Sequence, residues 1–157
     1  MKQEKRFELT DEKKVNDFGV ELFRIKCVKT FEHKQAGKIE AGTLGGWVDK
    51  KINAKIYGDA EVSGDARVFG DARVSGDAMV SGDARVSGDA RVYGDAMVFG
   101  DAWVFGDAWV FGNARVYGDA WVYGELKIKI GLFFGFLFKN EKLKEIKLDD
   151  ENILLYK

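Results

Sequence analysis

From Asn53 onward, apolar and polar positions alternate within a unit of six residues: NAKIYG, DAEVSG, DARVFG, DARVSG, DAMVSG, DARVSG, DARVYG, DAMVFG, DAWVFG, DAWVFG, NARVYG and DAWVYG. Twelve such units follow one another without insertion, and Glu125–Ile130 (ELKIKI) continues as a decayed thirteenth. Within D-A-x-V-z-G, Ala and Val alternate with x and z, the two-residue period of a half-buried strand. Ala and Val therefore face a common interior, and x and z face outward. The Gly-Asp step between units is turn chemistry, because Gly tolerates positive φ and Asp bonds to nearby backbone. Each unit is predicted to be a short strand plus a corner. One unit cannot bury its Ala/Val face alone, whereas stacked coils build one continuous core.

This pattern resembles the hexapeptide-repeat, left-handed parallel β-helix family, in which three units make one triangular coil. The resemblance covers residues 53–130, roughly half the chain. It implies an all-β protein, a single-stranded parallel β-helix whose twelve units make about four coils. The handedness rests on the family. At the usual strand spacing the prism is roughly 20 Å tall. Inside it, Ile56, Val74, Val92 and Val110 are expected in one column, beside Ala54, Ala72, Ala90 and Ala108. Small Ala near each corner suits a narrow, closely packed interior.

Coils of that size place residue i beneath i+18, which sorts the outward positions into three faces. One carries Lys55/Tyr57, Arg73/Ser75, Arg91/Tyr93 and Trp109/Phe111. The second carries Glu61/Ser63, Met79/Ser81, Met97/Phe99 and Arg115/Tyr117. The third carries Arg67/Phe69, Arg85/Ser87, Trp103/Phe105 and Trp121/Tyr123. Early coils show Arg and Ser, and later coils show Trp, Phe, Tyr and Met. Outward rings on successive units make a larger apolar patch than soluble monomers usually leave in water.

The candidate partner or oligomer surface is therefore Arg67, Arg73, Arg85, Arg91, Tyr93, Phe99, Trp103, Phe105, Trp109, Phe111, Trp121 and Tyr123. Three uses are open: packing against the C-terminal cap, self-association, and recognition of another molecule. Side-by-side trimers are common in the family, so the resemblance implies a homo-oligomer. Guanidinium groups beneath aromatic planes can hold phosphates and stack bases. Arg67 and Arg73 can equally offset Asp65, Asp71 and the Asp residues of the adjacent coil, a surface pairing that contributes only about 0–1 kcal/mol.

A solenoid leaves unpaired strand edges at its ends, and these have to be covered. Residues 1–52 are expected to form a small β-rich cap, in which Glu21–Lys29 alternates as a strand and Thr43–Val48 leads into the first coil. Residues 131–157 read as a hairpin cap, with strand-like Leu132–Phe138, a turn at Lys139–Glu141 and a second strand over Leu143–Leu148. Glu21–Lys26 (ELFRIK) and Leu44–Val48 (LGGWV), followed by GDA-type repeats, are also similar to hexapeptide-repeat proteins encoded by bacteriophages and prophages. That resemblance implies an origin more than an activity.

Composition narrows the classes further. Proline is absent and Gly is abundant, at nineteen residues; with the strict period this argues against collagen and flexible linkers. A net charge of −1 gives no global field toward nucleic acid or membrane. The longest apolar run, Ile130–Phe138, is nine residues, against about 20 for a membrane helix. Cys27 is the only cysteine and reads as a small buried hydrophobe. The charged start of the chain has no signal-peptide core, so a cytoplasmic protein is expected; that its host is a bacterium is what the phage resemblance implies.

Enzymes on this fold are typified by coenzyme A-dependent acyltransferases, which need a base, usually His. The only histidine, His33, lies in a charged run outside the repeats and reads as a solvated residue. No loop interrupts the units to shape a substrate site. No catalytic residue, cofactor or metal is therefore assigned. The corner column Asp59, Asp77 and Asp95 offers one carboxylate per rung, too few for the six to eight oxygens calcium takes. The regular Thr arrays of ice-binding faces are missing too. The expected function is a non-enzymatic binding protein whose Arg/aromatic faces engage a partner. A host defence protein or a nucleotide signal is the kind of partner that the phage resemblance implies. A structural protein acting through self-association is the alternative, and acyl transfer a more distant one.

Overall fold

The computed structural model describes residues 6–50 and 56–133. Five strands precede the regular repeat: β1 (Phe7–Val15), β2 (Glu21–Cys27), β3 (Phe31–His33), β4 (Gly37–Ile39) and β5 (Leu44–Asp49). From Glu61 on, each unit contributes a short strand at x and V, and no helix occurs among the described residues. The molecule is an all-β parallel solenoid of about five turns.

The 18-residue spacing is seen directly in the register. Arg67 pairs with Arg85, Arg85 with Trp103, and Trp103 with Trp121. Arg73, Arg91, Trp109 and Lys127 stack in order on the face of Tyr57. The remaining face stacks Glu61, Met79, Met97, Arg115 and Leu132. These are called below the Arg67, Arg73 and Met79 faces. The Val residues of the units are fully buried, as are the Ala residues from Ala60 to Ala114, while Ala54 lies outside the described residues. The Ile56, Val74, Val92 and Val110 column is present, with Ile128 above it. Complete burial of a Val contributes about 1.5–3 kcal/mol, so the filled interior is the main stabilising term.

Twelve units alone would make four coils; rungs beyond the repeat bring the number to about five. Below, β5 pairs parallel with the first rung of the Arg67 face, Trp47 opposite Arg67 and Val48 opposite Val68, an offset of 20 residues. Above, Lys127–Ile128 keeps the offset of 18, and Leu132 pairs with Arg115 at 17. The remainder of the hairpin expected over Leu132–Leu148 lies outside the described residues.

The glycines of LGGWV have a steric reason. Gly46 holds the place that Ala has in the repeat, but β5 lies so close to the next coil that a Cβ there would sit 2.6 Å from the Ala66 oxygen. A Cβ on Gly45 would meet Ile25 Cγ1 and the Val62 oxygen at 2.6 Å. With both Cβ atoms gone, Trp47 N reaches Ala66 O at 2.8 Å. The corner glycines answer to a different constraint: Gly88, for example, has φ +67°, and its Cβ would lie 3.0 Å from Gly106 N.

β5 also pairs antiparallel with β2, and β2 with β1, so the cap extends the Arg67-face sheet and reverses its direction. β1 was hidden in the sequence by its charges. It is the outermost strand, and Phe7 is its only buried side chain; Glu and Lys elsewhere keep that edge from pairing onward. The β3–β4 hairpin was also missed, because three-residue strands carry too little alternation to read.

Two substitutions test this architecture. Val92→Asp places an unpaired charge in the closed core and is expected to unfold the surrounding coils, with a loss of several kcal/mol visible in thermal denaturation. Gly46→Ala should cost at least the stability typical of an overpacked site, about 1–3 kcal/mol, and so lower the melting temperature. Unchanged melting of either variant would contradict the packing described.

Candidate functional site

The candidate residues fall on three faces of different character. On the Arg67 face, Phe69 is buried against Leu22 and Trp47 of the cap. The β1–β2 turn reaches further up. Phe18 lies 6.1 Å from Phe69 and 5.6 Å from Trp103, and Asp17 Oδ2 lies 3.9 Å from Arg67 Nη1 and 3.6 Å from Arg85 Nη2. Arg85 sits over the Trp103 ring at 5.4 Å. Above this contact the rings continue, Trp103 edge-on to Trp121 at 5.3 Å and Phe105 stacked on Tyr123 at 5.1 Å. The expectation that Arg67 offsets Asp65 is corrected. Arg67 faces Asp17, while Asp65 accepts from Trp47 Nε1 at 3.1 Å and from Lys14 Nζ at 3.4 Å.

That clamp positions the cap. Trp47 lies between Lys14, 4.1 Å over its ring, and Arg24 at 5.4 Å. Asp49 Oδ2 accepts from Gly70 N at 2.8 Å, tying β5 to the next corner. The Trp47 hydrogen bond, then the Lys14 charge, hold the Asp65 carboxyl below its ordinary value. Lys14 is itself lowered, first by burial and then by the nearby Arg67 charge, which together outweigh its pairing with Asp65.

On the Arg73 face the rings are sandwiched along the coil axis. Arg91 lies 4.6 Å below the Trp109 ring and Lys127 lies 4.5 Å from it, while Tyr93 stacks on Phe111 at 5.1 Å with planes 11° apart. On the Met79 face Phe99 stacks on Tyr117 at 5.2 Å and 6°. Stacking one rung apart is what a strand ladder imposes on planar side chains at equal heights. The graded aromatic surface read from the units is thus continuous within each face.

The repeat is similar to the YdcK β-solenoid repeat. The match to that family model spans residues 60–76, 72–88, 84–98, 90–106 and 108–124, under half of the 157 residues. No curated protein and no solved structure matches the chain.

The corner column Asp59, Asp77 and Asp95 is met by cations from the cap. Arg6 pairs with Asp59 at 2.7 Å, and Lys34 of the β3–β4 turn pairs with Asp95 at 2.7 Å, which raises the lysine above its ordinary value. Gln35 Nε2 adds a bond to Asp95 O at 3.3 Å. His33 is another correction. It is only 2% exposed, and its Nδ1 accepts from Gln35 N and Ala36 N at 3.2 and 3.1 Å, so it pins the turn rather than facing solvent. Cys27 is buried and its Sγ donates to Lys29 O at 3.1 Å. No helix among the described residues is long and apolar enough to cross a membrane.

Asp17, Phe18 and Lys34 were not among the candidates. The Asn16-Asp-Phe-Gly19 turn chemistry between two alternating stretches was the available signal for the first two; nothing local marked where Lys34 would land.

The lowered Asp65 gives a pH test. Its stabilisation is present above its ordinary value of 3.8 and is lost as pH falls through the still lower folded value. Asp65→Asn should therefore melt earlier than wild type near neutrality and converge with it in acid. The carboxylate is 64% exposed, so the gap should be under about 1 kcal/mol. Parallel melting curves at every pH would remove Asp65 from the clamp.

Proposed function

We propose that the protein is a non-catalytic binding protein that engages a protein partner through its outward Arg/aromatic faces. The reading rests chiefly on the Arg73 face, where Trp109 stands between Arg91 and Lys127 beside the Tyr93–Phe111 stack. Trp, Tyr, Arg and Met are the residues enriched at protein interfaces and at their energetic centres. A flat solenoid face suits a broad protein surface, whereas small ligands take concave pockets. Sequestration of a nucleotide is less well supported, because cations already occupy the faces of Trp109 that a base would stack on. Acyl transfer loses its candidate base, since His33 is buried and its Nδ1 is engaged in a turn.

In this reading the coils wind left-handed, the sense of the hexapeptide-repeat family. The similarity of ELFRIK, LGGWV and the GDA units to phage and prophage proteins points to a bacterial defence protein as the partner, inhibited by occlusion. The second reading is self-association into a homo-oligomer, favoured by the continuity of the aromatic ladders.

Native mass spectrometry of protein gently purified from a bacterial host, with wild type beside Trp109→Ala/Phe111→Ser, tests both. Retention of a stoichiometric host protein by wild type, weakened in the variant by about 2 kcal/mol or more, is the expected result. A bare oligomer that the variant dissociates would support self-association instead. A monomer that retains nothing would overturn both readings.

A further inference from the structure

The tip of the β1–β2 turn is built more carefully than a connecting loop requires. Asn16 Oδ1 accepts from Phe18 N at 3.0 Å and Val20 N at 2.9 Å, Asn16 O accepts from Gly19 N at 3.0 Å, and Gly19 turns the chain at φ +74°. This fixes Asp17 and Phe18 over the Arg67 face. One carboxylate oxygen, Asp17 Oδ2, lies between Arg67 and Arg85 at 3.9 and 3.6 Å, and the Phe18 ring rests on Phe69 and Trp103.

The fit is incomplete. Both ion-pair distances exceed those of a charge-assisted hydrogen bond. The Asp17 carboxylate remains 72% exposed and Phe18 58% exposed. Beneath them Arg67 Nε and Trp103 Nε1 are buried with no hydrogen-bond acceptor among the described residues. Each is a donor that an added acceptor on this face could satisfy. The face therefore holds two unmet donors and two cations under a lightly held acidic–aromatic dipeptide.

We propose that the Arg67 face is a docking surface for an acidic–aromatic peptide segment of a partner protein, and that Asp17–Phe18 occupies it in cis as a displaceable latch. The inference rests on the protein-partner reading and adds a second surface, distinct from the Trp109 site, with its own ligand chemistry. The chain's own occupant shows that chemistry: a carboxylate next to a phenyl ring, where an incoming segment adds acceptors for Arg67 Nε and Trp103 Nε1. A polyphosphate fits less well. Exposed Asp65, Asp83 and Asp101 line one edge of the face and Asp71, Asp89 and Asp107 the other, and these repel a multiply charged anion more than a single carboxylate.

The test uses the full chain and its tryptophan indole N–H resonances, with Trp103 assigned by Trp103→Phe. The probe is the capped peptide Asn-Asp-Phe-Gly, the sequence of residues 16–19, with Asn-Asn-Phe-Gly as control and ATP as competitor class. In Asp17→Asn/Phe18→Ser the latch is released, so the Trp103 signal is expected to move. The acidic peptide should then bind in trans about tenfold tighter than to wild type, because the internal occupant no longer reduces the competent fraction. Adding Arg85→Gln should abolish that binding. Should the released variant not fold, excess peptide on wild type reads the same competition through displacement of the Phe18 amide signal. A Trp103 signal indifferent to both release and peptide, or one moved by ATP and not by peptide, overturns the proposal. Either result leaves the Trp109 test standing, and loss of the Trp109 result alone leaves the latch intact.

Discussion

From Glu61 to Trp103 the amide of each x residue donates to the alanine carbonyl one coil further along, as Arg67 N does to Ala84 O at 2.9 Å and Arg85 N to Ala102 O at 2.8 Å; Trp109 N and Arg115 N continue the ladder to Leu126 O and Gly131 O. The amide of the z residue does the same to valine, as Phe69 N to Val86 O at 3.1 Å. Equal coil length keeps every Val in one inward column, since a slip of the pairing by one residue within a strand would turn it outward; at the two ends, where the offsets are 20 and 17, the ladder persists because Val48 and Phe133 still fall opposite Val68 and Val116. The Ala/Val interior fills the space the ladder encloses. Corner glycines such as Gly76, at φ +74° and with its missing Cβ 3.0 Å from Gly94 N, let the chain turn between rungs without disturbing the stack.

At the lower end, the place where coil length departs from 18 is where the repeat meets the cap. The 20-residue first coil, between Trp47 and Arg67, admits a strand that also pairs antiparallel with β2. That one strand converts a parallel ladder into a reversed one and ends its growth at a charged edge. The same junction aims the β1–β2 turn up the Arg67 face and the β3–β4 turn along the Asp59–Asp95 corner. Covering an edge and dressing two sides of the prism are thus consequences of a single geometric device.

The stacked faces inherit the ladder's regularity. Equal heights force like residues into contact, so aromatic side chains stack on aromatic ones, and Arg91 meets Trp109 because the sequence changes from Arg to Trp between coils. Surfaces made this way are extended and rich in Arg and aromatic rings. What distinguishes the three faces is how far the cap reaches over each.

By itself the sequence determined the solenoid, because its code is local and repeated: two buried positions, two exposed positions and a turn in every six residues. The burial of Val74, Val92 and Val110 and the i+18 columns followed from counting. So did the continuity of the aromatic surface, and β2 was legible in ELFRIK. The extra rungs, the strand within FELTDEKKV, the burial of His33 and the placing of Asp17 between Arg67 and Arg85 were decided by the tertiary structure. Each of these depends on contacts between segments remote in the chain. Lys34 reaches Asp95 across 61 residues and Arg85 reaches Asp17 across 68, and no alternation within a short window encodes such a meeting.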